Sequence, residues 1–134
     1  MSSAQRFLCT LLAATLLLAA LTGCRSSTSD EVSLTEDDNG ASVTLNKGEV
    51  LAITLPARPT KGERWDPGDI AIYEQLPMGQ EQFKPDSSLA DYDGRQILRF
   101  EAKTRGVFDL HLIYRVVGGA DEPIRTFDVT VTVE

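Results

Sequence analysis

The chain has 134 residues, 42% hydrophobic and 25% charged, enough for one domain with a single core and too few for two. Acidic residues outnumber basic ones 20 to 13, a net charge of −7 that disfavours nucleic acid and offers no attraction to anionic lipid headgroups.

In chain order, Arg6 precedes an apolar run from Phe7 to Ala20, and small residues follow. This is the layout of a secretory leader. The run is short for a membrane span, which takes about 20 apolar residues. It ends in Leu21-Thr22-Gly23-Cys24, which resembles the lipobox of bacterial lipoproteins. The resemblance implies cleavage before Cys24, lipid on its thiol and acylation of the new amine. Several acyl chains make a firm membrane anchor, each buried CH₂ contributing roughly 0.8 kcal/mol. Arg25 follows the cysteine, and by resemblance to Gram-negative lipoproteins this favours the outer membrane, facing the periplasm. An ordinary leader with an incidental cysteine is the alternative. On the lipoprotein reading Cys9 leaves with the leader and Cys24 carries lipid, so no disulfide and no free thiol remain. Loss of Arg6 brings the net charge to −8.

Residues 24–40 are polar and acidic, rich in Ser, Thr and Asp, and are expected to form a tether. About 16 coil-like residues reach roughly 20–25 Å on average. Val32 and Leu34 alternate with polar neighbours and leave a short first strand possible. The folded domain is expected over 41–134.

Val43 and Leu45, then Leu51, Ile53 and Leu55, alternate with polar or small residues around Asn46-Lys47-Gly48-Glu49, which predicts two strands joined by a hairpin-like turn. The stretch from Leu55 to Trp65 follows. Pro59 pushes Arg58 toward an extended conformation, and Gly62 takes a positive φ at little cost, so Pro59-Thr60-Lys61-Gly62 reads as a stiff turn rooted by the only tryptophan. Stiffness suits recognition, because little entropy is lost on docking. Spacing alone also fits a plain connection. Ile70 to Leu76 is compatible with a strand or a helical turn. Pro77 to Ala90 is the least patterned, with Phe83 as its expected packing point. Leu98, Phe100 and Ala102 then share one face; Phe108, Leu110, Leu112 and Tyr114 share another; Phe127, Val129, Val131 and Val133 give the cleanest period of two. Turn signals every 8–12 residues predict an all-β, antiparallel sandwich of about seven or eight strands.

Little in the chain points to catalysis. His111, the one histidine, falls on the outward face of its strand. Asp91/Asp93 and Asp66/Asp69 lack the spaced ligand array of a calcium loop, so no metal or cofactor is expected. Ser26-Ser27 and Ser87-Ser88 have no histidine partner, and neither a nucleophile elbow nor a phosphate-cradling glycine loop is present. No enzyme activity is expected, and function should lie in loops on a rigid β scaffold.

From about Ala41 to Glu134 the order and spacing of strands resemble the chagasin-type inhibitors of papain-like cysteine proteases. That family carries an N-P-T-T-G loop followed by a tryptophan, where this chain has Arg58-Pro59-Thr60-Lys61-Gly62 and Trp65. A second, Gly-rich family loop falls at Ala90-Asp91-Tyr92-Asp93-Gly94. A third follows a Leu-x-Tyr strand end and begins R-P-W or R-P-F; here Leu112-Ile113-Tyr114-Arg115 leads into Val116-Val117. The resemblance implies an immunoglobulin-like sandwich whose three neighbouring loops wedge into the protease cleft and cover the catalytic cysteine uncleaved. Pro59, Thr60, Lys61 and Gly62 are then expected over the nucleophile, with Arg58 at their base, Tyr92, Asp93 and Gly94 on one flank and Arg115, Val116 and Val117 on the other. The partners expected are a papain-like protease and, through Cys24, a membrane, with the protein a monomer. Arg58, Lys61 and Val116-Val117 depart from the family's pattern, and the altered second and third loops keep a non-inhibitory envelope module, protein-binding or structural, open as the alternative. A small inhibitor of another type, such as one against lysozyme, rests only on size, export and anchoring.

Overall fold

Residues 30–119 and 122–134 are described by a computed structural model, and among them the period-two segments fold as strands. The strands are β1 (Glu31–Thr35), β2 (Ser42–Leu45), β3 (Val50–Ala57), β4 (Glu63–Pro67), β5 (Gln82–Pro85), β6 (Gly94–Glu101), β7 (Gly106–Val116) and β8 (Arg125–Val133). They form two four-stranded sheets, ordered β1-β3-β6-β5 and β2-β8-β7-β4. The inward faces meet in one core that includes Leu51, Ile53, Leu98, Phe100, Leu112 and Phe127. This is the β-sandwich expected from the patterning, of the immunoglobulin-like kind that the resemblance implied, and β7 and β8 in particular remove alternate side chains from water between the sheets.

Four local expectations are corrected. β2 and β3 are not a hairpin, because they belong to different sheets. The turn between them satisfies both: Lys47 N donates to Glu134 O in one layer and Gly48 N to Ala102 O in the other. The sandwich is not wholly antiparallel either, since β1 runs parallel to β3 and β2 parallel to β8. The acidic stretch expected as a tether enters the fold from Glu31 onward. Leu34 is buried between the sheets, and Thr35 N donates to the Asp38 carboxylate at 2.8 Å, closing a 3₁₀ turn over Glu36–Asp38. Residues 24–29 of that stretch, with the expected leader and the expected lipid site at Cys24, lie outside the described residues. Phe83, expected as a packing point, stays 39% exposed because β5 is an edge strand. Ile70–Glu74, left between strand and helix, is a 3₁₀ helix capped by the Asp69 carboxylate, which accepts from Ala71 N.

Strand direction decides where the loops go. β3 and β7 run toward one pole, and β4, β6 and β8 start there. The connections around 58–62 and 86–93 and the one that leaves β7 after Val116 are therefore neighbours at that pole. Glu31 pairs with Val50 at the start of β3, so the described chain begins at the opposite pole.

Candidate binding edge

The first loop is a short 3₁₀ turn over Pro59–Lys61 that ends on Gly62 at φ 72°. Lys61 N donates to Arg58 O (3.0 Å) and Gly62 N to Pro59 O (2.9 Å). Pro59 opens the turn, where its missing N–H costs nothing, and Gly62 closes it in the left-handed region that glycine enters freely. Trp65 is its root, as expected. The indole is buried, its Nε1–H donates to Pro56 O at 2.9 Å, and its ring lies 5.0 Å from that of Tyr114.

Arg58 braces this loop through a partner that the sequence did not reveal. Its guanidinium donates to the Glu63 carboxylate at 2.7 and 3.0 Å, and its backbone N–H donates to Tyr114 Oη at 2.9 Å. Tyr114 Oη in turn donates to Glu63 at 2.7 Å, with Glu63 only 6% exposed. The Arg58 hydrogen bonds hold the Glu63 carboxyl below the usual range even though burial pushes the other way. Burial, then the carboxylate beside it, push the Tyr114 phenol up to about 12, so it remains a donor at neutral pH. The bidentate Arg–carboxylate geometry fixes both ends of the turn, where a short amide side chain would brace only one. Arg58 is thereby consumed inside the protein. Lys61, exposed at the tip, keeps its ammonium free of ion pairs among the described residues.

The second loop is tied to the first by Asp93. Its Oδ2 accepts from Thr60 N at 3.0 Å and from Thr60 Oγ1 at 2.5 Å, while Asp93 N donates to Ala57 O at 3.0 Å. Those two Thr60 hydrogen bonds keep the Asp93 carboxyl below its ordinary range. Tyr92 turns inward instead of outward: its ring lies 6.4 Å from Tyr114 and 5.5 Å from the Arg58 guanidinium, and its hydroxyl accepts from Arg125 at 2.8 Å. Gly94 is glycine for a steric reason. An added Cβ would run into Lys84 O and come within 2.8 Å of Phe83 Cζ and Pro85 Cα on the adjoining strand.

The third loop is joined to the first through the backbone, Val117 N donating to Gly62 O at 2.8 Å. Val116 and Val117 are 39% and 56% exposed, an apolar tip beside the 3₁₀ turn. Arg115 stands lower, inside β7 opposite Arg64, with Nε donating to Asp66 at 3.3 Å. The fold thus brings Arg58, Pro59, Thr60, Lys61, Gly62, Asp93, Val116 and Val117 to one edge, with Tyr92, Gly94 and Arg115 supporting it from behind or below. His111 is on the outer face of its sheet beside Asp128, far from this edge. Besides Glu63, sequence reasoning missed Gln96, which is buried and bonds both backbone groups of Trp65. Neither has a signal in spacing, because Glu63 needs Tyr114 of β7 and Gln96 needs Trp65 of β4 to complete its hydrogen bonds.

Residues 44–131 match the sequence profile of the Chagasin family peptidase inhibitor I42. Among solved structures the fold is similar to the cysteine protease inhibitor EhICP2 from Entamoeba histolytica, at a TM-score of 0.66 and 17% identity over 78% of this chain and 95% of that one. Amebosin aligns at a TM-score of 0.64 and 27% identity, covering 78% of this chain and 99% of its own. PbICP-C, solved in complex with falcipain-2, aligns at 0.51 and 16%, covering 78% and 99%. No match is found among the curated proteins. The profile spans most of the sandwich and all three loops, and the chain belongs to the chagasin family of peptidase inhibitors.

Proposed function

We propose that this protein inhibits papain-like cysteine proteases from the bacterial cell envelope by inserting its three-loop edge into the active-site cleft. The observation that carries the reading is the pair of ties between loops: Asp93 to Thr60 and Val117 to Gly62. Three tips held to one another lose little entropy on docking, and a turn already locked by Pro59, Gly62 and the Arg58–Glu63 pair resists being drawn into a cleavable extended conformation. The 3₁₀ turn over Pro59–Lys61 covers the nucleophile in this scheme, with Val116 and Val117 as the apolar contact in place of an aromatic residue.

The envelope context rests on the Leu21-Thr22-Gly23-Cys24 motif, which lies outside the described residues, and on the position of Asp30 at the pole away from the loops. A chain held by lipid at Cys24 presents its loops away from the bilayer. The test is inhibition of papain by the full-length protein in detergent micelles, with turnover of a fluorogenic peptide as readout. Stoichiometric inhibition at or below micromolar concentration is expected, with the inhibitor recovered intact. Full papain activity at that concentration, with the fold verified by circular dichroism, overturns the inhibitory reading and leaves a non-inhibitory module.

A further inference from the structure

One hollow on the molecule continues from the loop edge down its side. It occupies about 310 Å³ in the seam where β4 and β5, the edge strands of the two sheets, face one another. Pro59 and Gly62 of the first loop and Val117 of the third line its upper end, and Phe83 of β5 lines its lower part. Phe83 and Val117 are both substantially exposed, at 39% and 56%, so the hollow has an apolar wall open to water. One side of the Phe83 ring covers Gly94, whose missing Cβ leaves the room for it.

The seam is closed to strand addition at its centre. The Gln96 side chain crosses from β6, accepts from Trp65 N at 2.8 Å and donates to Trp65 O at 3.0 Å, as an added strand would. Gln96 also donates to Glu81 at 2.9 Å, so its own amide is satisfied. With those backbone groups taken, the hollow offers its apolar wall, flanked by Arg64, Glu81 and Gln82, and an apolar side chain is what that wall recognises.

We propose that this seam is a second contact surface for the same target, receiving an aliphatic or aromatic side chain carried on the rim of the protease cleft. The proposal rests on the loop-insertion reading above and deepens it. Continuity argues for that occupant: a body covering Pro59, Gly62 and Val117 on this flank also covers the mouth of the hollow. Phe83 is then a residue that sets affinity without touching the catalytic centre of the target.

The experiment measures association and dissociation rates with papain for the full-length parent, Phe83→Ala, Phe83→Leu, Phe83→Glu and Val117→Asp, with thermal melts of each. Phe83→Ala is expected to speed dissociation about tenfold, Phe83→Leu to stay close to the parent, and Phe83→Glu, which keeps bulk over Gly94, to weaken binding at least as much as alanine. Parent-like rates for both Phe83→Ala and Phe83→Glu, with Val117→Asp impaired, overturn the seam contact and leave loop insertion standing. Absence of papain inhibition by the parent removes the loop reading and the seam contact together.

Discussion

Two carboxylates set the loop edge, and their chemistry differs. Glu63 is buried and neutralised by Arg58, so it acts as an internal brace. Asp93 is partly exposed and accepts both hydrogen bonds that Thr60 offers. Asp93→Ala should leave the fold intact and weaken protease inhibition roughly three- to tenfold, read in the dissociation rate, because the first loop then has to be ordered on binding. The pH dependence follows from the direction of the shift. The Asp93 carboxyl titrates below its usual range in the folded protein, so the tie is fully present above the ordinary aspartate value of about 4 and is lost as pH falls through the depressed folded value. Inhibition is expected to be flat from neutral pH down to about 4 and to fall below it, with Asp93→Ala lacking that acid limb. The loop resemblance named Asp93 as a loop residue and not as the tie to Thr60, and it did not name Glu63 at all: a carboxylate five residues from an arginine looks like an ordinary surface charge until the strands bring Tyr114 alongside.

At the scale of elements, β5 shows how a weak pattern becomes a strand. Gln82–Pro85 pairs with β6 in register from Gln82–Ile97 to Pro85–Gly94, although all four of its residues are exposed and no alternation marks it. Close approach is permitted by Gly94, where any side chain meets the β5 backbone. Gly94→Ala is therefore expected to cost roughly 1–3 kcal/mol and to lower the melting midpoint by several degrees, measured by calorimetry. β6, β7 and β8 were readable because each buries one face, which imposes the period of two. The β2–β3 connection was misread because a turn signal states that the chain reverses and not which sheet receives it. That choice is made by Gly48 and Lys47, whose N–H groups find acceptors in opposite layers.

At the scale of the molecule, the separation of the poles is what the proposed anchor at Cys24 would exploit. The described chain begins beside the Asn46–Glu49 turn, and the loops stand at the far end of β3. Cys24→Ser is expected to abolish incorporation of labelled palmitate and to release the protein from membranes, while papain inhibition by the released protein stays unchanged. Persistent labelling of that variant counts against the lipid anchor. By itself the sequence determined the two-layer β architecture, the stiff Pro59–Gly62 turn and the burial of Trp65, because alternation, proline, glycine and a single large aromatic act locally and need no partner to be read. Only the tertiary structure decided that β1 belongs to the domain, that Arg58 is spent on Glu63, and that Asp93 and Val117 bind three loops into one edge. Those are pairings between residues apart in the chain, Arg58 with Glu63 at 5 positions and Thr60 with Asp93 at 33, and strand order in space determines which of them can form.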